Sequence, residues 1–296
     1  MKKKGPFILI IVLVILLLAY YGLSARNKAQ EEAKKEDEIK VTDLEADDIT
    51  SISYDMGNGM MSFEKDGDTW YYTADKDFPL KQSYAEGFAE TLSQIKADRE
   101  LEDADAMADY GLDDPTYTAE VTDKEGTTTK ISFGNATGDD YYVTVGDTQK
   151  VYTVAASALD DFQTSLDDMA QLDEYPSIGS GNLKKEVITE NGKTTTYDSE
   201  DEDQSEDIAA VAGGLGAVTL SSAADYSVED KDLEKYGLDD SAKTTVEVTY
   251  TQNEKDKTLM LYIGGEDGDG NKYVMLNDSR IVYLISDEIC KNILNQ

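Results

Sequence analysis

The chain has no histidine and only one cysteine, Cys290, among its 296 residues. Without histidine there is no Ser-His or Cys-His catalytic pair, no imidazole general base and no histidine-ligated zinc site. A single thiol excludes an intramolecular disulfide, so any metal chemistry would have to use oxygen ligands. Positive charge is also scarce: 27 basic residues stand against 62 acidic ones, a formal net charge of −35. All 62 acidic residues lie beyond residue 30, whereas Lys2, Lys3, Lys4, Arg26 and Lys28 lie before it, leaving the remainder at a net −40. So acidic a surface disfavours nucleic acid, anionic lipid and anionic wall polymers as partners, and attracts cations or basic surfaces.

What the chain does have begins at its N-terminus. Lys2-Lys3-Lys4 precedes an uncharged run from Gly5 to Ala25 whose centre, Phe7 to Leu18, is almost entirely Ile, Leu and Val. About 20 residues at about 1.5 Å each span the hydrocarbon core, so residues 1–28 are expected to form a basic cytoplasmic tip and a transmembrane anchor that contacts membrane lipid. Basic residues before the span, with acidic sequence after it, place the N-terminus inside and the rest outside the cytoplasmic membrane. The competing reading is a cleaved signal peptide ending near Gly22-Leu23-Ser24, although the apolar core is long for one. Residues 29–40, continuing the Ala-, Glu- and Lys-rich stretch that starts at Ser24, read as a charged spacer. If helical from Ser24, it would carry the folded part roughly 25 Å from the membrane.

The remainder is organised around a repeat. Tyr110-Gly111-Leu112-Asp113-Asp114 returns as Tyr236-Gly237-Leu238-Asp239-Asp240. Each copy reads as the end of a short helix, with glycine in the left-handed conformation and the next leucine folded back on an apolar residue, Met107 or Leu233. The aspartates read as turn residues leading into a strand, helped in the first copy by Pro115. A catalytic carboxylate pair is the weaker alternative, since acid/base work needs two carboxyls in different environments.

The segments around each copy also correspond. In residues 41–166, strands are expected at Ile49–Tyr54, Met60–Glu64 and Thr69–Thr73. A helix opened by a Ser83/Glu86 capping box carries Ala85, Phe88, Leu92 and Ile95 on one face. Strands at 117–122, 130–133, 141–145 and 150–154 follow, then a closing helix with Leu159, Phe162 and Leu166. Their alternation predicts an antiparallel sheet with one covered face. Residues 183–296 repeat this with strands at 185–189 and 194–197 and a helix carrying Ile208, Val211, Leu215 and Val218. Val246 and Val248 answer Ala119 and Val121, Leu261, Ile263 and Gly264 answer Ile131, Phe133 and Gly134, Val282-Tyr283-Leu284-Ile285 matches Val151-Tyr152-Thr153-Val154, and Cys290 answers Leu159. A period of about 130 residues suits a duplicated domain rather than a solenoid. The expected fold class is therefore α+β: an N-terminal transmembrane helix, then two similar domains, each an antiparallel sheet with two or three helices. Residues 167–182, with Pro176 and Gly179-Ser180-Gly181, read as a hinge or linker. Ser199 to Asp207 reads as a solvated acidic loop.

Four stretches invite a functional reading, and each has a plainer one. Asp267-Gly268-Asp269-Gly270-Asn271, with Asp278 at the twelfth place, resembles the start of a calcium loop. Position six, however, is Lys272 and the flanks read as strands, so a hairpin turn is expected; Asn135 to Asp140 holds the matching place with less of the pattern. Gly213-Gly214-Leu215-Gly216 lacks the Lys-Ser/Thr of a phosphate loop and reads as a loosely packed helix. Trp70-Tyr71-Tyr72 could line a groove for carbohydrate or peptide, but sheet packing accounts for it. Cys290 shares an apolar face with Ile293 and reads as a core thiol. No catalytic, cofactor-binding or metal residue is expected, and no cofactor.

The basic tip and span, the "DGDTWYY" strand, "DFPL" before a helix, and "YGLDDPTYTAEV" followed by "ISFG" and "VYTV" together resemble the bacterial family known as domain of unknown function 4340. The resemblance is close over residues 1–166 and looser beyond, where Pro115 has become Ser241. It implies a bacterial envelope protein and, since such genes often neighbour those of gliding-motility-type ABC transporters, an accessory to a membrane complex. The expected function is a membrane-anchored extracytoplasmic binding or scaffolding protein, not an enzyme, with a membrane-complex protein as partner. The alternatives are a carboxylate-dependent cell-wall or polysaccharide hydrolase, which would need two carboxyls roughly 5–10 Å apart in a cleft, and a calcium-stabilised adhesion module.

Overall fold

A computed structural model describes residues 39–221 and 223–296. The basic tip, the apolar run and nearly all of the spacer lie outside the described residues. No helix among the described residues is long and apolar enough to cross a membrane. The described chain forms two compact units, one of residues 39–69 with Ser83–Thr164 and one of Trp70–Gln82 with Ser165–Gln296.

In the first unit, the pair β1 (Ile39–Lys40) and β5 (Lys96–Ala97) forms a small two-stranded sheet. The main sheet, whose β4 falls mostly in the Trp70–Gln82 segment grouped with the second unit, comprises β2 (Ile49–Asp55), β3 (Met60–Asp66), β4 (Thr69–Tyr72), β6 (Arg99–Leu101), β7 (Tyr117–Asp123), β8 (Thr128–Thr137), β9 (Asp140–Val145) and β10 (Val151–Ala155), in the order β4-β3-β2-β7-β8-β9-β10-β6. Period-two alternation puts Ile52, Tyr54, Phe63, Ala119, Val121, Ile131 and Phe133 on one face, all buried. That face is covered by helix α1 (Gln82–Ser93), whose Ala85, Phe88 and Leu92 are spaced at helical intervals and buried. Phe88 stacks on Phe162 at 4.9 Å and meets Tyr54 edge-on at 5.3 Å. Burying one such phenylalanine contributes about 1.5–3 kcal/mol.

Two expectations are corrected here. The helix begins at Gln82, so Ser83 lies within its first turn rather than capping it. The Gln82 side chain accepts from Trp70 N–H and donates to the carbonyls of Trp70 and Leu80, fixing the approach of the chain. The closing element, Ala156–Gln163, is a 3-10 helix; it buries Leu159 and Phe162 but ends before Leu166.

The second unit carries β11 (Leu183–Glu190), β12 (Lys193–Asp198), β13 (Ala223–Asp225), β14 (Thr244–Gln252), β15 (Lys255–Glu266), β16 (Asn271–Leu276) and β17 (Val282–Ser286) in the order β12-β11-β14-β15-β16-β17-β13. Helices α2 (Ser205–Gly216) and α3 (Asp287–Ile293) cover its inner face, enclosing Ile188, Val246, Val248, Leu261, Ile263, Val274 and Cys290. The registers correspond between units. Tyr54 pairs with Ala119 and Ala119 with Ile131; Ile188 pairs with Val246 and Val246 with Leu261.

The expectation of one covered face is too simple. In each unit the short helix of the repeated motif lies on the other face of the sheet. In the first, Tyr110 and Leu112 bury Val151 there; in the second, Tyr236 and Leu238 bury Met275 and Val282. Alternation alone does not reveal this, because the covering helix is remote in sequence from most of the strand residues it covers.

The stretch 167–182, which reads as a hinge, is tied down along its length within the second unit. Asp173 Oδ2 accepts from the hydroxyls of Tyr283 and Ser279 at 2.7 and 2.6 Å. Asn182 bridges Ser177 and Thr251, and Ile178 is buried. The Trp70–Gln82 segment packs in the same unit: Phe78 meets Tyr226 edge-on at 5.2 Å, Leu80 pairs with Ala170, and Ser227 Oγ donates to Asp75.

Candidate functional site

The short helices end as the sequence predicts. Gly111 and Gly237 adopt φ of 70° and 64°. Leu112 N–H donates to Met107 O and Leu238 N–H to Leu233 O, both at 3.0 Å, closing each end on the expected apolar residue. Asp239 then serves its turn, accepting from the Ser241 amide and hydroxyl. Asp113 and Asp114 are exposed. These aspartates are turn formers.

Beside the second of these caps the outer face of the sheet is hollowed. Tyr262 on β15 and Met275 on β16 are paired across the strands and project outward. Lys243, immediately before β14, sets its ammonium 4.7 Å from the Tyr262 ring centroid, a cation–π contact. Leu233 and Leu238 from the cap and Arg280 from the β16–β17 connection complete a recess of about 250 Å³.

The corresponding strand positions in the first unit read differently. Thr118 pairs with Ser132 and Ser132 with Thr144, where the second unit runs Thr245, Tyr262, Met275. By the same register Thr116 and Gln149 stand where Lys243 and Arg280 do. One module therefore carries uncharged polar side chains at four positions where its sister carries an aromatic, a thioether and two cations. This cluster escaped the sequence reading. Its signal was present in the outward phase of β15 and β16, where large apolar residues need a cover.

Chemically the recess can accept one side chain with an apolar body and a polar end. Lys243 is paired with Asp240 at 2.7 Å and Arg280 with Asp230 at 2.7 Å, but those aspartate side chains are 99% and 89% exposed. Pairs so exposed are worth little, about 0–1 kcal/mol, so the cations can exchange partners at small cost.

A second unusual group is Glu186 on β11, fully buried on the inner face between Val248 and Tyr197. Among the described residues neither carboxylate oxygen has a hydrogen-bond partner, and the nearby Tyr175 hydroxyl is likewise buried and unpartnered. Burial pushes the Glu186 carboxyl up to about 8, so it is largely neutral at pH 7. Its register equivalent in the first unit is Ile52.

The other sequence-named stretches resolve as follows. Asp267 to Gly270 joins β15 to β16 as a hairpin turn; Asp267 Oδ1 accepts from the amides of Asp269 and Asn271, and Oδ2 from the Asn271 side chain. Those bonds, the Asn271 side chain foremost, hold the Asp267 carboxyl below its ordinary range. Asp278 lies in the separate β16–β17 connection, and no group of three acidic side chains is placed to hold a metal among the described residues.

The glycine run lies in α2, where Gly213 faces open space but Gly214 and Gly216 are closely packed. A β-carbon on Gly214 would fall 2.7 Å from the Asn292 carbonyl carbon, and one on Gly216 2.8 Å from Ile178 O. These glycines let α3 and the 167–182 stretch approach the helix backbone. Trp70 is buried in packing, with Tyr71 and Tyr72 half-buried. Cys290 is buried, and burial pushes its thiol up to about 11.

Fold and surface together define a duplicated α+β module whose two copies differ in their outer faces. The profile described as Domain of unknown function (DUF4340) matches residues 70–212 and again 202–295, and the chain belongs to that family. No curated protein and no solved structure matches the chain.

Proposed function

We propose that this protein is a membrane-tethered, extracytoplasmic binding or scaffolding component, held by residues 1–28 and accessory to an ABC-type transport or gliding-motility-like membrane complex. The observation that carries the binding reading is the recess of Lys243, Tyr262, Met275 and Arg280 in the second module, set against the polar side chains of the first. Duplication followed by a change that gives one copy an aromatic, a thioether and two cations on its outer face is what a module adapted for contact would leave. The apolar run after three lysines, and the strongly acidic remainder, support the tether and the outward orientation.

A photo-crosslinking residue at Tyr262, introduced into the full-length chain in its own membranes, tests this reading. The expected result is a discrete crosslink to a membrane protein of the complex, lost in the Lys243→Ala/Arg280→Ala background and absent when the crosslinker replaces Lys124. Detergent-solubilised protein recovered alone, with no crosslinked species, would overturn it.

A further inference from the structure

The seven-stranded sheet ends in an unusually open edge. Its terminal strand β12, Lys193-Thr194-Thr195-Thr196-Tyr197-Asp198, is six residues long, with its first four residues exposed. The other terminal strands are shorter: β13 and β6 have three residues and β4 four. β12 has no proline, and its pairing with β11 runs through six consecutive residue pairs without a bulge. Proteins normally blunt such an edge, because its free amides and carbonyls invite another strand.

The hairpin geometry says which groups are free. Asn191-Gly192, with φ of 50° and 76°, is a two-residue turn, and Glu190 pairs with Lys193 beside it. The amides and carbonyls of Lys193, Thr195 and Tyr197 therefore face β11, while those of Thr194, Thr196 and Asp198 face outward. The outward amide of Asp198 confirms the phase, since it donates to Gln204 Oε1 at 2.8 Å. Thr194 and Thr196 keep their outward peptide groups unpaired among the described residues. In the eight-stranded sheet the strand at the equivalent place, β3, is not terminal, because β4 follows it in the sheet order. After β12 the chain instead enters the acidic stretch Ser199 to Asp207, with Glu200, Asp201, Glu202, Asp203 and Glu206 exposed.

We propose that β12 is an acceptor for a strand supplied by a basic, extended segment of a partner protein, which extends the sheet by one antiparallel strand. The main-chain ladder supplies the affinity, the acidic stretch at the end of β12 selects lysine or arginine flanks, and the threonines accept varied side chains. A second copy of this chain is disfavoured as the occupant, since two chains of net charge −35 would bring like acidic stretches together.

The test uses the full chain in detergent and a fluorescein-labelled peptide, Lys-Lys-Thr-Trp-Tyr-Tyr-Thr-Lys-Lys, whose centre copies the chain's own β4. Saturable binding by anisotropy is expected, weakening at least tenfold between 50 and 300 mM salt. Thr196→Pro removes one outward amide while leaving the β11 ladder bonded, as proline on an open edge is tolerated, and should weaken binding at least tenfold. Glu200→Lys/Glu202→Lys, which leaves every strand bond intact, should do the same and guards against misfolding of the proline variant. No saturable binding, or binding unchanged in both variants, overturns the proposal. So does concentration-dependent self-association abolished by Thr196→Pro, which would assign the edge to a second copy. Because the peptide does not touch Tyr262, failure here leaves the recess reading standing, and loss of the Tyr262 crosslink leaves this one.

Discussion

The carbonyl oxygen of Tyr110 rests against Gly134 so closely that no β-carbon fits between them, and Tyr236 stands in the same relation to Gly264. In both units the capped short helix is thereby seated on a glycine of the strand beneath it. Tyr110 also meets Tyr142 edge-on at 4.8 Å, as Tyr236 meets Tyr273 at 5.0 Å.

Gly134→Ala and Gly264→Ala should each destabilise their unit by about 1–3 kcal/mol, the usual cost of overpacking where only backbone can move. Gly126→Ala, in open space but at positive φ, should cost less, about 1 kcal/mol. Urea midpoints decide the matter, and an unshifted midpoint for Gly264→Ala would remove the close approach as the reason for glycine.

Glu186 makes the stability of the second unit depend on pH. Its carboxyl titrates near the ordinary 4.5 when unfolded and near 8 when folded, so the folded state binds the extra proton. The contribution is complete below pH 4.5, declines by about 1.4 kcal/mol per pH unit as pH rises, and is lost by about pH 8. Burial raises the nearby Tyr175 hydroxyl well above that window. Carboxyls held low by hydrogen bonds, such as Asp198, Asp239 and Asp267, act only in more acid solution. Glu186→Gln should flatten the fall between pH 5.5 and 8.5, and Glu186→Ile, matching Ile52, should raise the midpoint at pH 8.5. Parallel pH profiles for wild type and Glu186→Gln would sink this account.

Neighbouring glycines in α2 should behave oppositely. Gly213 faces open space, so Gly213→Ala should stabilise by up to about 1 kcal/mol through helix propensity. Gly214→Ala has the same propensity gain but forces a β-carbon onto the α3 backbone, so it should destabilise. Thermal melts of the two variants in parallel make the comparison, which fails if both move the same way.

The Asp173–Tyr283 contact should anchor the 167–182 stretch. The Tyr283 hydroxyl donates to Asp173 Oδ2 and accepts from the Asp173 amide at 2.9 Å. Tyr283→Phe should cost about 1.5–3 kcal/mol, since a charged acceptor loses a donor. It should also speed amide exchange at Asp173; exchange at the wild-type rate would mean the stretch is held elsewhere.

Much of this was legible in the order of residues. Local geometry is written locally: Gly111 and Gly237 needed only the neighbouring Leu112 and Leu238 to announce a helix end, and the alternation of Tyr117, Ala119 and Val121 announced a strand. The duplication was legible for the same reason, because equivalent positions in the two units meet equivalent cores. The family likewise followed from motifs that are structural. The sequence by itself thus determined the longer strands, the two glycine caps, the repeat and the acidic exterior, while Ile39–Lys40, Lys96–Ala97, Arg99–Leu101 and Ala223–Asp225 are too short to show an alternation. Only the tertiary structure decided that the motif helix covers a second sheet face, that Gly214 is a helix contact, that Glu186 replaces an isoleucine, and that β12 ends its sheet uncovered. Each of these depends on which distant backbone arrives at a residue, and neither spacing nor composition encodes that arrival.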